Sequence, residues 1–146
     1  MRVLEVVHGF PPSAQGGAEI YAWTHACALR DLGDEVVVLT RDADVTRHEY
    51  DIRDTTVDGL RVVRVNNTFA AARRFEDTYR NDAIGAVARD LIEAFRPDVA
   101  HLHHLTCLST TIPAALAARG IPVFYTLHDY WLMCHRGQLL DTAYQR

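Results

Sequence analysis

The feature that most constrains this chain is a change of hydrophobic period. Val3, Leu4, Val6 and Val7 make a nearly continuous apolar run near the amino terminus. Such a run marks a strand buried on both faces, as in a parallel sheet, rather than one with a wet face. From Ala18 the spacing switches: Ala18, Ala22, Ala26, Leu29 and Leu32 recur at four and three, and Ile20, Trp23 and Cys27 add a second stripe. This predicts a helix covered on two sides. Gly33 stands where a helix terminates, and Val36, Val37, Val38 and Leu39 then repeat the buried-strand pattern. The first forty residues therefore read as one βαβ unit, whose crossover is right-handed.

The same alternation continues. Residues 61–65 alternate as a strand preceded by a Val57-Asp58-Gly59 turn, and residues 47–53 read as an edge strand. Ile84, Val87, Ala88, Leu91, Ile92 and Phe95 form a complete helical stripe stopped by Arg96-Pro97. A strand over 98–103, a short helix over 109–119 and a strand over 121–127 complete the series. The fold class predicted is α/β: a Rossmann-like, doubly wound, mainly parallel sheet with helices on both faces. With 146 residues, 49% of them hydrophobic, and no repeat or linker, the chain reads as a single domain over 1–146.

Several function classes are excluded. A net charge of -4 gives no electrostatic basis for nucleic-acid binding. No apolar run approaches the roughly 18 to 20 residues of a membrane span, and the opening residues are too short and too charged for a signal peptide. Cys27, Cys107 and Cys134 are odd in number and far apart, which argues against a disulfide framework and for a reducing, cytoplasmic setting. All 15 basic residues are arginine, so no phosphate-loop lysine, Schiff base or lysine general base is available. The Asn66-Asn67-Thr68 sequon carries no weight without an export signal.

In open parallel sheets ligands gather at the carboxyl ends of the strands, so the loops after His8, His103 and Leu127 are the candidate sites. In the first, Gly16 and Gly17 precede a helix. They let backbone N–H groups approach a phosphate beside the positive end of the helix dipole. The same pair also suits a plain tight turn. The loop contains neither G-x-G-x-x-G nor G-x-x-x-x-G-K-[ST], which disfavours the two commonest nucleotide-binding fingerprints. In the second, His101 and His103 share a strand face, but spacing indicates no third metal ligand, so hydrogen-bonded histidines lining a cleft are the expected reading and no metal is assigned. In the third, residues 126–137 hold His128 and Asp129, suited to orienting sugar hydroxyls, and Tyr130 and Trp131, read as packing residues. Cys134 and His135 are adjacent, a poor arrangement for a thiol nucleophile and its base, so Cys134 is read as structural.

At these residues the chain resembles the retaining GT-B glycosyltransferases, in particular the large group 1 or family 4 type. The resemblance rests on His8-Gly9-Phe10-Pro11-Pro12, Gly16-Gly17-Ala18-Glu19, Leu29-Arg30-Asp31-Leu32-Gly33, Arg96-Pro97-Asp98-Val99-Ala100-His101-Leu102-His103 and Thr126-Leu127-His128-Asp129-Tyr130-Trp131, in that order. It departs at His135, where proline is usual before Arg136. The resemblance implies an amino-terminal, acceptor-side domain of a hexosyltransferase, incomplete here and lacking the carboxy-terminal lobe that binds the nucleotide sugar, and inactive alone. By the same implication Gly16 and Gly17 close on the donor diphosphate, His128 stands beside the transferred sugar as the catalytic residue, and Glu19, His103 and Asp129 support it or touch the acceptor. The implied partners are a nucleotide-sugar donor and a glycan or lipid-linked acceptor, with no cofactor and no metal. Peripheral association with the inner face of the membrane is compatible with this, although no basic amphipathic helix stands out. The competing readings are a non-catalytic sugar- or nucleotide-binding module, or one subunit of a two-chain transferase. A sugar-nucleotide epimerase of related architecture is disfavoured by the 126–137 loop.

Overall fold

The computed structural model describes residues 1–134 and 136–139. Among the described residues six strands form one sheet: β1 (Arg2–Val7), β2 (Glu35–Asp42), β3 (Ile52–Val57), β4 (Leu60–Asn66), β5 (Val99–Leu102) and β6 (Val123–Tyr125). Their order is β3-β4-β2-β1-β5-β6, and every neighbouring pair is parallel except the β3–β4 hairpin. Helix α1 (Gly17–Asp31) covers one face; α2 (Asp82–Phe95) and α3 (Ile112–Ala117) cover the other. This is the α/β, Rossmann-like, doubly wound architecture expected from the alternation.

Alternate residues of each strand feed the two cores, as the pleat requires. Leu4 and Val6 with Val37 and Leu39 pack under Ile84, Ala88, Leu91 and Ile92 of α2. Val3 and Val7 with Val36 and Val38 pack under Ala22 and Ala26 of α1. The face beneath α1 is where the polar exceptions occur, because Glu5 lies between Val3 and Val7 and is completely buried.

Helix α1 ends as its sequence directs. Gly33 takes φ +91°, its N–H donates to the Arg30 carbonyl at 2.9 Å, and the Asp34 N–H donates to the Leu29 carbonyl at 3.1 Å. This is the Schellman pattern, which favours glycine because a side chain is strained at positive φ. The expected two-sided cover of α1 is only partial: Ala22 and Ala26 are buried, Trp23, Cys27 and Leu29 are half-buried, and Ile20 and Leu32 are exposed. Trp23 instead donates through Nε1 to Asp58 Oδ2 at 2.9 Å, holding the hairpin turn.

The edge strand is displaced from the expected residues 47–53 to Ile52–Val57. The Asp58-Gly59 turn sets it there. Both turn residues have positive φ, the requirement of a type I′ hairpin, so Val57 must pair with Leu60 and the register runs back from that point. Helix α3 is shorter than residues 109–119, because Ser109 Oγ is engaged with the Asn81 N–H and with Thr111 Oγ1 instead of entering the helix.

Asn81 caps α2, accepting from the Ile84 N–H at 3.1 Å and donating to the Tyr50 hydroxyl at 3.0 Å, and it is 8% exposed. Asn81→Ala is expected to cost about 1 to 2 kcal/mol in urea denaturation, the usual worth of an N-cap. A change below about 0.3 kcal/mol would show that the cap contributes nothing.

Candidate functional site

The site occupies the carboxyl ends of β1, β5 and β6. His8 follows β1, His103 and His104 follow β5, and Thr126, His128 and Asp129 follow β6. The parallel pairing of β1 with β5 and of β5 with β6 brings these three segments side by side, and the amino terminus of α1 closes over them. His8, Gly17, Glu19, His104, His128 and Asp129 line one open cavity of about 470 Å³. A cavity of similar size near Arg74, Glu76 and Arg80 is a surface groove of solvated ion pairs and touches none of the strand-end residues.

The loop after β1 is fixed from two sides. Phe10 is fully buried, and Arg64 of β4, only 5% exposed, donates through Nη2 to the Pro11 carbonyl at 2.6 Å. Its Nη1 reaches the Phe10 carbonyl at 3.4 Å and Ser13 Oγ at 3.3 Å. Beyond this clamp the two glycines separate in role. A β-carbon on Gly16 would stand 2.5 Å from Glu19 Oε2, whereas among the described residues one on Gly17 would meet nothing within 4 Å. Gly16 is therefore small because the chain's own Glu19 carboxylate lies against it, and Gly17 is the position that faces open space. Glu19 Oε1 in turn lies 3.2 Å from His8 Nε2. The amino-terminal N–H groups of α1 receive no side-chain cap from Gly16, which leaves them available to an anion.

His128 is half-buried, with Nε2 3.2 Å from His103 Nδ1 and its ring 5.3 Å from that of Tyr21. His103 stands behind it, 1% exposed, so it reaches a ligand only through His128. Asp129 accepts the Trp131 N–H at Oδ1, 2.9 Å, and places Oδ2 3.2 Å from His104 Nε2. A β-carbon on Gly137 would stand 2.8 Å from that same oxygen, so the returning loop packs directly on Asp129. Trp131 packs against the α2-side core and lies 5.0 Å from the His104 ring, as expected of a packing residue, whereas Tyr130 is exposed. His135 lies outside the described residues, so the Cys134 and His135 pairing does too.

Sequence reasoning missed Glu5, His25 and Tyr21 as members of this region. Glu5 Oε2 meets His103 Nε2 at 2.5 Å, and its Oε1 meets His25 Nδ1 of α1 at 2.9 Å. His101 Nδ1 is 3.8 Å from Glu5 Oε2 while its Nε2 meets Thr126 Oγ1 at 2.7 Å. The spacing along β5 offered His101 and His103 no further ligand; the sheet and α1 supply Glu5 and His25. The readable signal was a lone carboxylate inside the Val3 to Val7 apolar run.

Burial is the leading influence on three of these rings and lowers the basicity of His8, His101 and His128, taking His101 to about 4. Unfolded, such rings take up protons near 6.5. Between those values the unfolded chain binds more protons, so their contribution to stability is lost as pH falls. His25 acts oppositely: its hydrogen bond to Glu5 raises it, and its contribution is lost as pH rises through that raised value. Burial pushes Glu5 up most strongly, but the hydrogen bonds with His103 and His25 outweigh it and leave the carboxyl below its ordinary 4.5, so its contribution too is lost on acidification. The thermal midpoint, followed by circular dichroism with a chelator present, is expected to fall between pH 6.5 and 4. A flat profile over that window would refute buried neutral imidazoles.

Comparison with known proteins bears on the fold and the family. No curated protein matches the chain. Two solved structures share its fold: sucrose-phosphate synthase from Thermosynechococcus elongatus, at 14% identity and a TM-score of 0.64 over 99% of this chain and 37% of that one, and the E. coli trehalose-6-phosphate protein bound with UDP-2-fluoro glucose, at 13% identity and 0.54 over 88% of this chain and 33% of that one. The chain thus spans about a third of the length of each. A family model described as a glycosyl transferase 4-like domain matches residues 16–146, from Gly16 at the head of α1 onward, and the chain belongs to that family.

Proposed function

We propose that this chain is the acceptor-side part of a glycosyltransferase that moves a sugar from a nucleotide-sugar donor to a glycan or lipid-linked acceptor with retention of configuration. The observation that carries the reading is the convergence of Gly17, His128 and Asp129 on one cavity at the head of α1. A leaving diphosphate suits the uncapped helix terminus, where N–H groups and the helix dipole stabilise negative charge. A half-buried, neutral His128 at the cavity wall suits a sugar hydroxyl or the developing positive charge of an oxocarbenium-like transition state. The second lobe that such a reaction needs would hold the nucleotide. The structure with UDP-2-fluoro glucose bound makes UDP-glucose the first donor to try. The cytoplasm, with or without contact to the inner membrane face, is the compartment this reading calls for.

The reading is tested with the full-length gene product and a panel of UDP-, GDP- and ADP-sugars, scored by released nucleotide. Turnover with one of them supports it; no turnover with any, while sugar or nucleotide still binds, favours a non-catalytic binding module.

Gly17 allows a sharper test. Gly17→Ala places a methyl in open space on a helical residue, so stability is expected to hold or rise by about 0.4 to 1 kcal/mol. If the diphosphate closes on that backbone, donor affinity should fall about tenfold, the loss of roughly one charge-assisted hydrogen bond. Equal donor affinity in calorimetry would remove Gly17 from the diphosphate site.

A further inference from the structure

We infer that Glu5, His25, His101 and His103 form a binding site for a divalent transition-metal ion, with Zn²⁺ the best match. Three imidazole nitrogens and one carboxylate oxygen are a donor set for zinc rather than for magnesium or calcium, which prefer oxygen. One ligand atom from each of the four residues falls within 4.8 Å of all the others. A tetrahedral zinc site with bonds of about 2.0 to 2.1 Å spaces its ligand atoms about 3.4 Å apart. The contacts of 2.5, 2.9 and 3.8 Å around the Glu5 carboxylate straddle that value, so small side-chain rotations make room for an ion.

The scaffold is rigid. Glu5 and His101 are direct partners on neighbouring strands β1 and β5, His103 lies two residues further along, and His25 comes down from α1. The outer nitrogens are held as well, His101 Nε2 by Thr126 Oγ1 and His103 Nδ1 by His128 Nε2, the second layer that orients ligating histidines. The carboxylate is fully buried and its hydrogen-bond and ion-pair partners are these three imidazoles. An ion would supply the compensating charge that a buried carboxylate needs. Access is through His25, whose side chain is 33% exposed and which, with His101, lines an open cavity of about 400 Å³.

Occupancy would reach the candidate sugar site. Without metal, His103 Nε2 donates to the Glu5 carboxylate while its Nδ1 faces His128 Nε2. With Nε2 on the ion, the proton on the His103 ring would stand at Nδ1 and be donated to His128 Nε2. The ion would thereby select the tautomer of His128.

The test uses the 146-residue chain stripped with a chelator and titrated with Zn²⁺ by calorimetry, then with Co²⁺ by visible absorption. One ion per chain is expected, with the intense bands of tetrahedral Co²⁺. His25→Ala should lower Zn²⁺ affinity by more than about tenfold and abolish those bands, with folding checked by circular dichroism. Glu5→Gln should weaken binding in the same direction, and His8→Ala should leave it unchanged. No binding at millimolar Zn²⁺ would overturn the inference. So would an octahedral Co²⁺ spectrum in the wild-type chain, unchanged affinity in His25→Ala, or loss of binding in His8→Ala, which would move the ion to the neighbouring His8 and Glu19 pair.

Discussion

Turnover of the full-length protein is expected to fall about 10²- to 10⁴-fold when His128 is replaced by alanine, the range that a positioned acid, base or charge-stabilising group supplies. The ring stands at the mouth of the strand-end cavity and is fixed from behind by His103, so its removal deletes a preorganised contact without opening the core. An effect on the chemical step should appear in kcat more than in KM, because the contact tightens as charge develops. Nucleotide release under saturating donor measures it. A variant that keeps wild-type kcat while KM rises would reduce His128 to a binding residue, and one that changes neither would remove it from the site.

A stability loss of about 3 to 5 kcal/mol is expected for Glu5→Ala in the metal-free chain, the usual consequence of deleting one partner of a buried, hydrogen-bonded ionic group. Domains of this size have about 5 to 15 kcal/mol in total, so the variant stands near the limit of folding. The reason is local. His103 is 1% exposed, and with the carboxylate gone its Nε2 and the inner nitrogen of His25 face each other across a void with no acceptor. Glu5→Gln keeps the volume and one acceptor, so its loss should be smaller. Urea denaturation of the two variants measures the difference, and a loss below about 1 kcal/mol for Glu5→Ala would show that the imidazoles find other partners.

How much of this was readable from residues alone follows from how each element is exposed. Strands buried on both faces must be apolar at nearly every position, so β1 and β2 stand out at once, and the Ile84 to Phe95 stripe does the same for α2. β3 has no such mark. Lying at the edge, it reads Ile-Arg-Asp-Thr-Thr-Val, and its place is fixed by the Asp58-Gly59 turn and by pairs such as Arg61 with Asp54 across the hairpin. At the site, the strand-end rule located His103, His128 and Asp129. Glu5 and His25 escaped because their meaning depends on the register of β1 against β5 and on the rotation of α1, neither of which is local. Glu19 was located, but that its carboxylate occupies the space beside Gly16 appears only once the loop is folded. The glycine pair looked like a single device, and its two members have different surroundings.

Arg64 sets different rules for the residues on either end of its clamp. Its guanidinium is bound to two main-chain oxygens and the Ser13 hydroxyl, so what it recognises is mainly the path of residues 10–13 and not their side chains. Pro11 can therefore change identity while the loop keeps its course, provided its carbonyl stays in place, whereas Ser13 takes part through its hydroxyl. Lysine at position 64 cannot do the same, since a single ammonium lacks the planar fork that spans separated acceptors. The tolerant surface of the loop and the intolerant position that holds it lie three strands' worth of sequence apart, so a change that disturbs the candidate site most can fall in β4, far along the chain from any residue that touches the cavity.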